Sequence, residues 1–169
     1  MSTYRPRRSV LYMPAANQRA LEKAKDIPAD ALIFDLEDAV APDSKELARE
    51  QACNAAASSD YGNRELTIRC NGLDTPWGRE DILAAAGAAP SAVVIPKVDG
   101  PEYLAEVSEV LDEGGAPAAT EIWAMVETPA GILCVDQIAQ FERTAVLVMG
   151  TNDMAKELRA SITQDRHAL

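Results

Sequence analysis

The chain has 169 residues, a formal net charge of −11 and a hydrophobic share of 47%. At this length we expect a single domain, over residues 1–169. The acidic balance argues against a general nucleic-acid binder, which needs a basic face. No stretch approaches the roughly 18 apolar residues of a transmembrane helix, and the three cysteines lack the spacing of a zinc site. We therefore expect a cytoplasmic protein with reduced thiols.

Apolar runs alternate with amphipathic stretches along the whole chain. Runs rich in Val, Ile and Leu predict strands at 9–13, 31–36, 65–70, 92–98, 121–127 and 145–149. Helices are predicted between and after them, at 18–26, 44–58, 77–87, 101–113, 130–140 and 153–159. The strand runs mostly do not alternate in polarity, which is typical of parallel strands covered on both faces. Six βα units in a row predict an α/β protein.

Two architectures fit this order of elements: an open doubly wound sheet and a (β/α)₈ TIM-type barrel. Polar residues stand at the carboxyl ends of five of the predicted strands. In a barrel those ends converge on one face, whereas in an open sheet only the strands near the switch point meet. The polar strand ends therefore favour the barrel. A whole barrel has about 250 residues, so we expect only six βα units here, with the C-terminal units missing.

Two carboxylates follow the fifth and sixth predicted strands. Glu127 comes directly after an apolar run, and Asp153 follows the last run and a short turn. These strands are neighbours in a barrel, so the two carboxylates can share one hard cation. Mg²⁺ prefers oxygen ligands and usually takes one or two protein carboxylates. The alternative, that each residue caps a helix, stays open.

A second acidic group and an arginine stand at the ends of the second and third strands. Asp35, Glu37 and Asp38 can hold waters around a metal, or they can lie in a solvated turn. Arg69 sits late in a strand that otherwise looks buried. Its planar fork can bind a substrate carboxylate or stabilise an enolate oxygen. It can equally form a structural salt bridge with one of the acids.

Two further features are candidates for binding an anion. Gly150 and Thr151 open the turn into the last helix, where backbone N–H groups can bind a carboxylate. Lys97 follows the fourth strand and can reach an anionic group, but a surface lysine with its stem on apolar neighbours fits equally well.

Taken together, six segments resemble the citrate lyase β-subunit-like branch of the HpcH/HpaI aldolase family. They are RRSVLYMPAAN, ALIFDLEDAVAPDSKELAR, IRCNGLDTPWGREDI, VVIPKV, MVETPAGI and VMGTNDMAKELRA, and they cover essentially the whole chain. The resemblance implies a (β/α)₈-type barrel. It also implies Mg²⁺-dependent cleavage or formation of carbon–carbon bonds in acyl-CoA thioesters of the citryl, malyl or citramalyl type.

The resemblance also implies roles for individual residues. Glu127, in the ETPxG motif, and Asp153, in the GTxD motif, match metal ligands, and Glu127 also contacts substrate. Arg69, in the RxN motif, matches the arginine that binds substrate and stabilises the enolate. Glu37 and Asp38 match the acids that organise water at the metal. Gly150 and Thr151 match the backbone turn that holds a carboxylate.

Two other functions remain open on the sequence. One is an aldolase that acts on free oxoacids, such as pyruvate or oxaloacetate, without CoA. The other is a truncated, non-catalytic module that binds its ligand without turning it over. For the leading hypothesis we expect a homo-oligomer, either a trimer or a hexamer, with a small acyl-CoA or oxoacid substrate and neither nucleic acid nor membrane as a partner.

Overall fold

The computed structural model describes residues 5–166. Its strands are Val10–Pro14 (β1), Ala31–Asp35 (β2), Glu65–Arg69 (β3), Ala92–Ile95 (β4), Glu121–Val126 (β5) and Thr144–Met149 (β6). Its α-helices are Gln18–Ala24 (α1), Lys45–Ala57 (α2), Gly78–Ala88 (α3), Pro101–Glu113 (α4), Pro129–Leu133 (α5), Val135–Gln140 (α6) and Thr151–Glu157 (α7). Within these described residues, no helix is long and apolar enough to cross a membrane.

The six strands form one parallel sheet in the order β1-β2-β3-β4-β5-β6. Each strand thus lies beside the strand that precedes it in the chain. A doubly wound sheet reverses its strand order at a switch point, and this sheet has no reversal among its described strands. Six successive βα units wound in one direction are the arrangement of a (β/α)₈ barrel, as the sequence predicted.

Side chains on the two faces of the sheet form separate apolar clusters, because successive strand residues point to opposite faces. The larger cluster lies between the sheet and the helices and includes Leu32, Phe34 and Ile68. The smaller cluster, on the face without helices, contains six buried residues: Ala31, Ile33, Ala92, Val94, Trp123 and Met125. Burial on both faces explains why the strand segments read as continuous apolar runs.

Most predicted elements agree with the structure to within two residues at each end, and two differ by more. The strand predicted at 92–98 stops at Ile95, because a proline follows and Lys97 adopts a φ of +50°, outside the strand region. The helix predicted at 130–140 is divided into α5 and α6. Cys134, between them, has a φ of −104° and a ψ of 6°, away from helical values.

Candidate active site

Arg69 and Asp35 form a buried ion pair at the carboxyl edge of the sheet. They are the last residues of β3 and β2 and lie opposite each other in the register. Nε and Nη2 of Arg69 donate to the two carboxylate oxygens of Asp35, at 2.7 and 2.5 Å. Burial lowers the pKa of Arg69, but the hydrogen bonds and charge of Asp35 outweigh it, so the pKa lies above its ordinary value. The salt bridge that the sequence left open is therefore present.

Glu37 and Asp38 approach the same guanidinium from the turn after β2. Nη1 of Arg69 lies 2.7 Å from the carboxylate of Glu37 and 3.7 Å from that of Asp38. The Glu37 side chain is 14% exposed and that of Asp38 is 70% exposed. Burial raises the pKa of Glu37 to about 7, despite the opposing effect of Arg69. The predicted turn is thus part buried and part solvated.

Glu127 is buried at the end of β5 and held by backbone groups. Its Oε1 accepts a hydrogen bond of 2.9 Å from the backbone N–H of Lys97. Lys97 itself has a φ of +50°, which is uncommon for a residue with a side chain. The Lys97 side chain itself is exposed. Thr128, rather than Glu127, caps the next helix, because its side chain accepts from the N–H of Gly131. Helix capping therefore does not explain Glu127.

Glu127 and Asp153 line one pocket of about 310 Å³, together with Arg69 and Tyr12. Asp153 lies in the first turn of α7, whose N-cap is Gly150, so the alternative of a capping aspartate is wrong. Burial raises the pKa of Glu127, and the negative charge of Asp153 raises it further. The structure therefore brings the two predicted carboxylates to one pocket, where they repel each other.

This pocket suits a small divalent cation bound by few protein ligands. Mg²⁺ usually keeps several waters and takes one or two carboxylates. Glu127 and Asp153 provide two, and a cation between them would offset their mutual repulsion. Within residues 5–166, no cluster of three or more His, Cys, Asp or Glu side chains is suited to enclose a metal. The donor set thus fits Mg²⁺ and not a metal enclosed by protein ligands.

The turn at Gly150 and Thr151 differs from the predicted anion site in one respect. The backbone N–H of Gly150 donates to the carbonyl of Val126, at 3.1 Å, so this donor already has a partner within the chain, and substrate binding at Gly150 stays a prediction. Thr151 begins α7, and the N–H of a first helical residue has no partner within its helix. Thr151 lines the pocket and stays the predicted donor.

Sequence reasoning missed Tyr12 and Lys45. The guanidinium of Arg69 lies 5.1 Å from the centre of the Tyr12 ring, a cation–π distance. Lys45 is buried below the turn that carries Glu37. A signal for Lys45 was present, since it lies at helical spacing from the buried Ala48 and breaks an apolar stripe.

The fold and the site define the class of protein. It is an α/β protein of the (β/α) barrel type whose candidate site lies at the carboxyl ends of its strands, where barrel enzymes carry their active sites. The sequence matches the family described as HpcH/HpaI aldolase/citrate lyase over residues 8–169. The chain belongs to this family.

Two similar proteins illustrate the relationship. A (3S)-malyl-CoA thioesterase of Cereibacter sphaeroides is 45% identical over 164 residues, which are 97% of this chain and 55% of that protein. The citrate lyase subunit beta of Escherichia coli is 34% identical, over 92% of this chain and 53% of that protein. This chain thus spans about half the length of these relatives.

A solved structure shows the same fold. The citrate lyase beta subunit from Mycobacterium tuberculosis, complexed with oxaloacetate and magnesium, is 27% identical and superposes with a TM-score of 0.74. The match covers 95% of this chain and 67% of that one. The names of these relatives describe a thioesterase of malyl-CoA and beta subunits of citrate lyase, one of them complexed with magnesium.

Proposed function

We propose that the protein cleaves, or forms, a carbon–carbon bond in a hydroxyacyl-CoA thioester of the citryl, malyl or citramalyl type, with Mg²⁺ as cofactor. The observation that carries this proposal is the pocket lined by Arg69, Glu127 and Asp153. A permanently charged guanidinium beside two carboxylates suits a reaction that develops negative charge on a substrate oxygen. The names of the relatives, a malyl-CoA thioesterase and a citrate lyase subunit, support the substrate class.

In this proposal Glu127 and Asp153 hold Mg²⁺. When bound, Mg²⁺ supplies Lewis acidity at a keto or hydroxyl oxygen of the substrate. Glu127 is fixed before any ligand arrives, because Lys97 donates to it and Gly150 packs against it. A preorganised ligand loses less freedom on binding.

Arg69 in this proposal stabilises the negative charge that grows as the carbon–carbon bond breaks. In the cleavage direction that charge falls on the oxygen of the acyl-CoA enolate. In the direction of bond formation it falls on the carbonyl oxygen of the oxoacid, which becomes an alkoxide. Asp35 pairs with Nε and Nη2 along one edge of the guanidinium, and Glu37 contacts Nη1, so the plane is oriented in advance. Oriented donors need no reorganisation during the reaction. We assign Glu37 and Asp38 to holding this arginine and ordering water in the pocket, and the N–H of Thr151 to the substrate carboxylate.

Product analysis tests the proposal directly. The protein is incubated with malyl-CoA, and separately with citryl-CoA, in MgCl₂ or in excess chelator. Formation of acetyl-CoA together with the matching oxoacid, in MgCl₂ only, supports the lyase. Failure to consume either thioester would contradict it. A free oxoacid offered with an aldehyde and without CoA serves as a further substrate, and formation of their aldol adduct would instead support the CoA-independent aldolase.

Thioester hydrolysis is the second candidate function. It is favoured by the 45% identity to a (3S)-malyl-CoA thioesterase over almost the whole of this chain. Hydrolysis releases a free CoA thiol and leaves the hydroxy acid intact, whereas the lyase reaction keeps the thioester in acetyl-CoA. A thiol reagent and an oxoacid assay on the same reaction therefore separate the two. A homo-oligomer and a cytoplasmic location stay predictions, the first of which light scattering tests.

A further inference from the structure

Lys45 carries a buried ammonium whose three N–H groups are all used. It is the first residue of α2 and is 5% exposed. Its Nζ donates to the backbone carbonyls of Leu36, at 2.6 Å, and of Glu37, at 2.8 Å. The third bond, also 2.8 Å, goes to Oδ1 of Asn71. An ammonium has three protons, so this set satisfies it completely.

Groups beneath the turn hold this lysine in place. The ammonium lies 5.2 Å from the centre of the Trp77 ring. Asn71 donates through Nδ2 to the carbonyl of Leu36 and to the fully buried carboxylate of Asp81. Arg49 donates to the other oxygen of Asp81 at 2.7 Å. This network joins the ends of β2 and β3 to the starts of α2 and α3.

The turn held by Lys45 is the one that carries the acidic residues of the site. Its carbonyls face Lys45, while the Glu37 and Asp38 carboxylates reach toward Arg69. The N–H of Glu37 donates to Asp35 at 2.8 Å, so the same turn also contacts the aspartate of the ion pair. A buried charge is costly unless it is fully hydrogen-bonded. If position 45 had only to fill space, an apolar residue would do so without the cost of burying a charge.

We propose that Lys45 is a positioning residue, which fixes the turn at 36–38 so that Glu37 and Asp38 meet the guanidinium of Arg69. Its effect on catalysis rests on the function proposed above, but its effect on the turn does not. Burial lowers the pKa of Lys45, while the charges of Asp81 and of the acids around the site raise it.

The test compares Lys45→Met with Lys25→Met in the full chain. Lys25 forms ion pairs with Glu22 and Asp60 and contacts none of the site residues, so its variant matches the loss of charge. Amide hydrogen exchange is followed at Glu37 and Ala39, whose N–H groups both donate to Asp35, and at Ile68 in the core of β3. Lys45→Gln, which keeps two donors, is the second variant if Lys45→Met does not fold.

We expect exchange at Glu37 and Ala39 to speed up by about tenfold or more in the Lys45 variants, with Ile68 unchanged. With malyl-CoA, kcat should fall by about tenfold or more, while KM and the Mg²⁺ concentration at half-activation stay within about threefold. Lys25→Met should match the wild type in every measurement.

Three results would overturn the proposal. Exchange at Glu37 and Ala39 equal to that in Lys25→Met would show that Lys45 does not hold the turn. Faster exchange at Ile68 as well, in both Lys45 variants, would show that Lys45 contributes to global stability and does not position the turn. An unchanged kcat would remove it from the reaction. If the wild type turns over no CoA thioester, the proposed function fails, and the exchange pattern alone decides whether Lys45 positions the turn.

Discussion

A β-carbon at position 150 would lie 2.5 Å from Cβ of Glu127 and closer still to its Oε2. Gly150 has a φ of −88°, which any residue can adopt, so the glycine is required by space and not by backbone conformation. Its close approach packs the turn after β6 against the end of β5. That contact sets Asp153, in the first turn of α7, across the pocket from Glu127.

Replacing Gly150 with alanine should therefore displace Glu127. We expect Gly150→Ala to lower the free energy of unfolding by about 1–3 kcal/mol, because the new methyl group overpacks a tight contact. Gly87→Ala is the matched control, since a β-carbon there meets no atom within 4 Å. Gly87 lies in α3, so its replacement should stabilise the protein by about 0.5–1 kcal/mol. Urea unfolding of both variants measures these changes in the free energy of unfolding. Equal unfolding midpoints in the two variants would contradict the predicted overpacking at Gly150.

Removing either proposed ligand should weaken Mg²⁺ binding. Glu127→Gln and Asp153→Asn keep side-chain volume and an acceptor oxygen but lose the negative charge. We expect the Mg²⁺ affinity measured by calorimetry to fall by about tenfold or more in each. Glu109→Gln, on the exposed face of α4, removes the same charge away from the pocket and should bind as the wild type does. Unchanged affinity in both pocket variants would refute the metal assignment.

Arg69→Lys should separate turnover from metal binding. Lysine keeps the charge but has no planar fork, so it cannot repeat the paired hydrogen bonds to Asp35. We expect kcat with malyl-CoA to fall by about 100-fold or more, as for other oriented oxyanion donors. The Mg²⁺ affinity should stay close to the wild-type value, because Glu127 and Asp153 remain. Wild-type rates in this variant would exclude Arg69 from the reaction.

The raised pKa of Glu37 predicts a pH-dependent stability in metal-free protein. The pKa is 4.5 without the fold and about 7 within it. The folded state thus binds this proton more tightly. Its contribution to the free energy of unfolding is fully present below about pH 4.5 and is lost as the pH rises through about 7. In Glu37→Gln this dependence should vanish.

Denaturant unfolding of the wild type and Glu37→Gln, from about pH 5 to pH 8 with chelator present, measures the difference. The two curves of unfolding free energy against pH should diverge between about pH 5 and pH 7, by at most about 1.4 kcal/mol per pH unit for one proton, and run parallel above about pH 7. Parallel curves across the whole window would show that Glu37 titrates at its ordinary value.

Much of the fold could be predicted from the sequence, because its signals are local. Apolar runs buried on both faces gave the parallel strands, and their regular alternation with helices gave the barrel order. The polar residues at successive strand ends indicated which edge carries the site. Asp35, Arg69 and Glu127 all lie at that edge.

The sequence left open a salt bridge between Arg69 and one of the acids, but it could not show which partner each residue takes, since that depends on the register between strands. Arg69 pairs with Asp35 because β2 and β3 align with the two residues opposite each other, across 34 positions of sequence. Lys97 donates to Glu127 through its backbone N–H, a contact that the type of residue at position 97 does not indicate. Lys45 breaks the apolar stripe of α2, but the sequence does not show which backbone carbonyls its ammonium binds.

The sequential strand order has a consequence for how the site assembles and comes apart. Asp35 and Arg69 belong to central strands, whereas Asp153 follows β6, which pairs only with β5 among the described strands. Movement of β6 away from β5 would separate Asp153 from Glu127 and leave the arginine pair intact. By thermodynamic linkage, a cation bound between the two carboxylates would favour the closed state of β6. A bound cation would then stabilise the packing of β6 and α7 against the rest of the sheet.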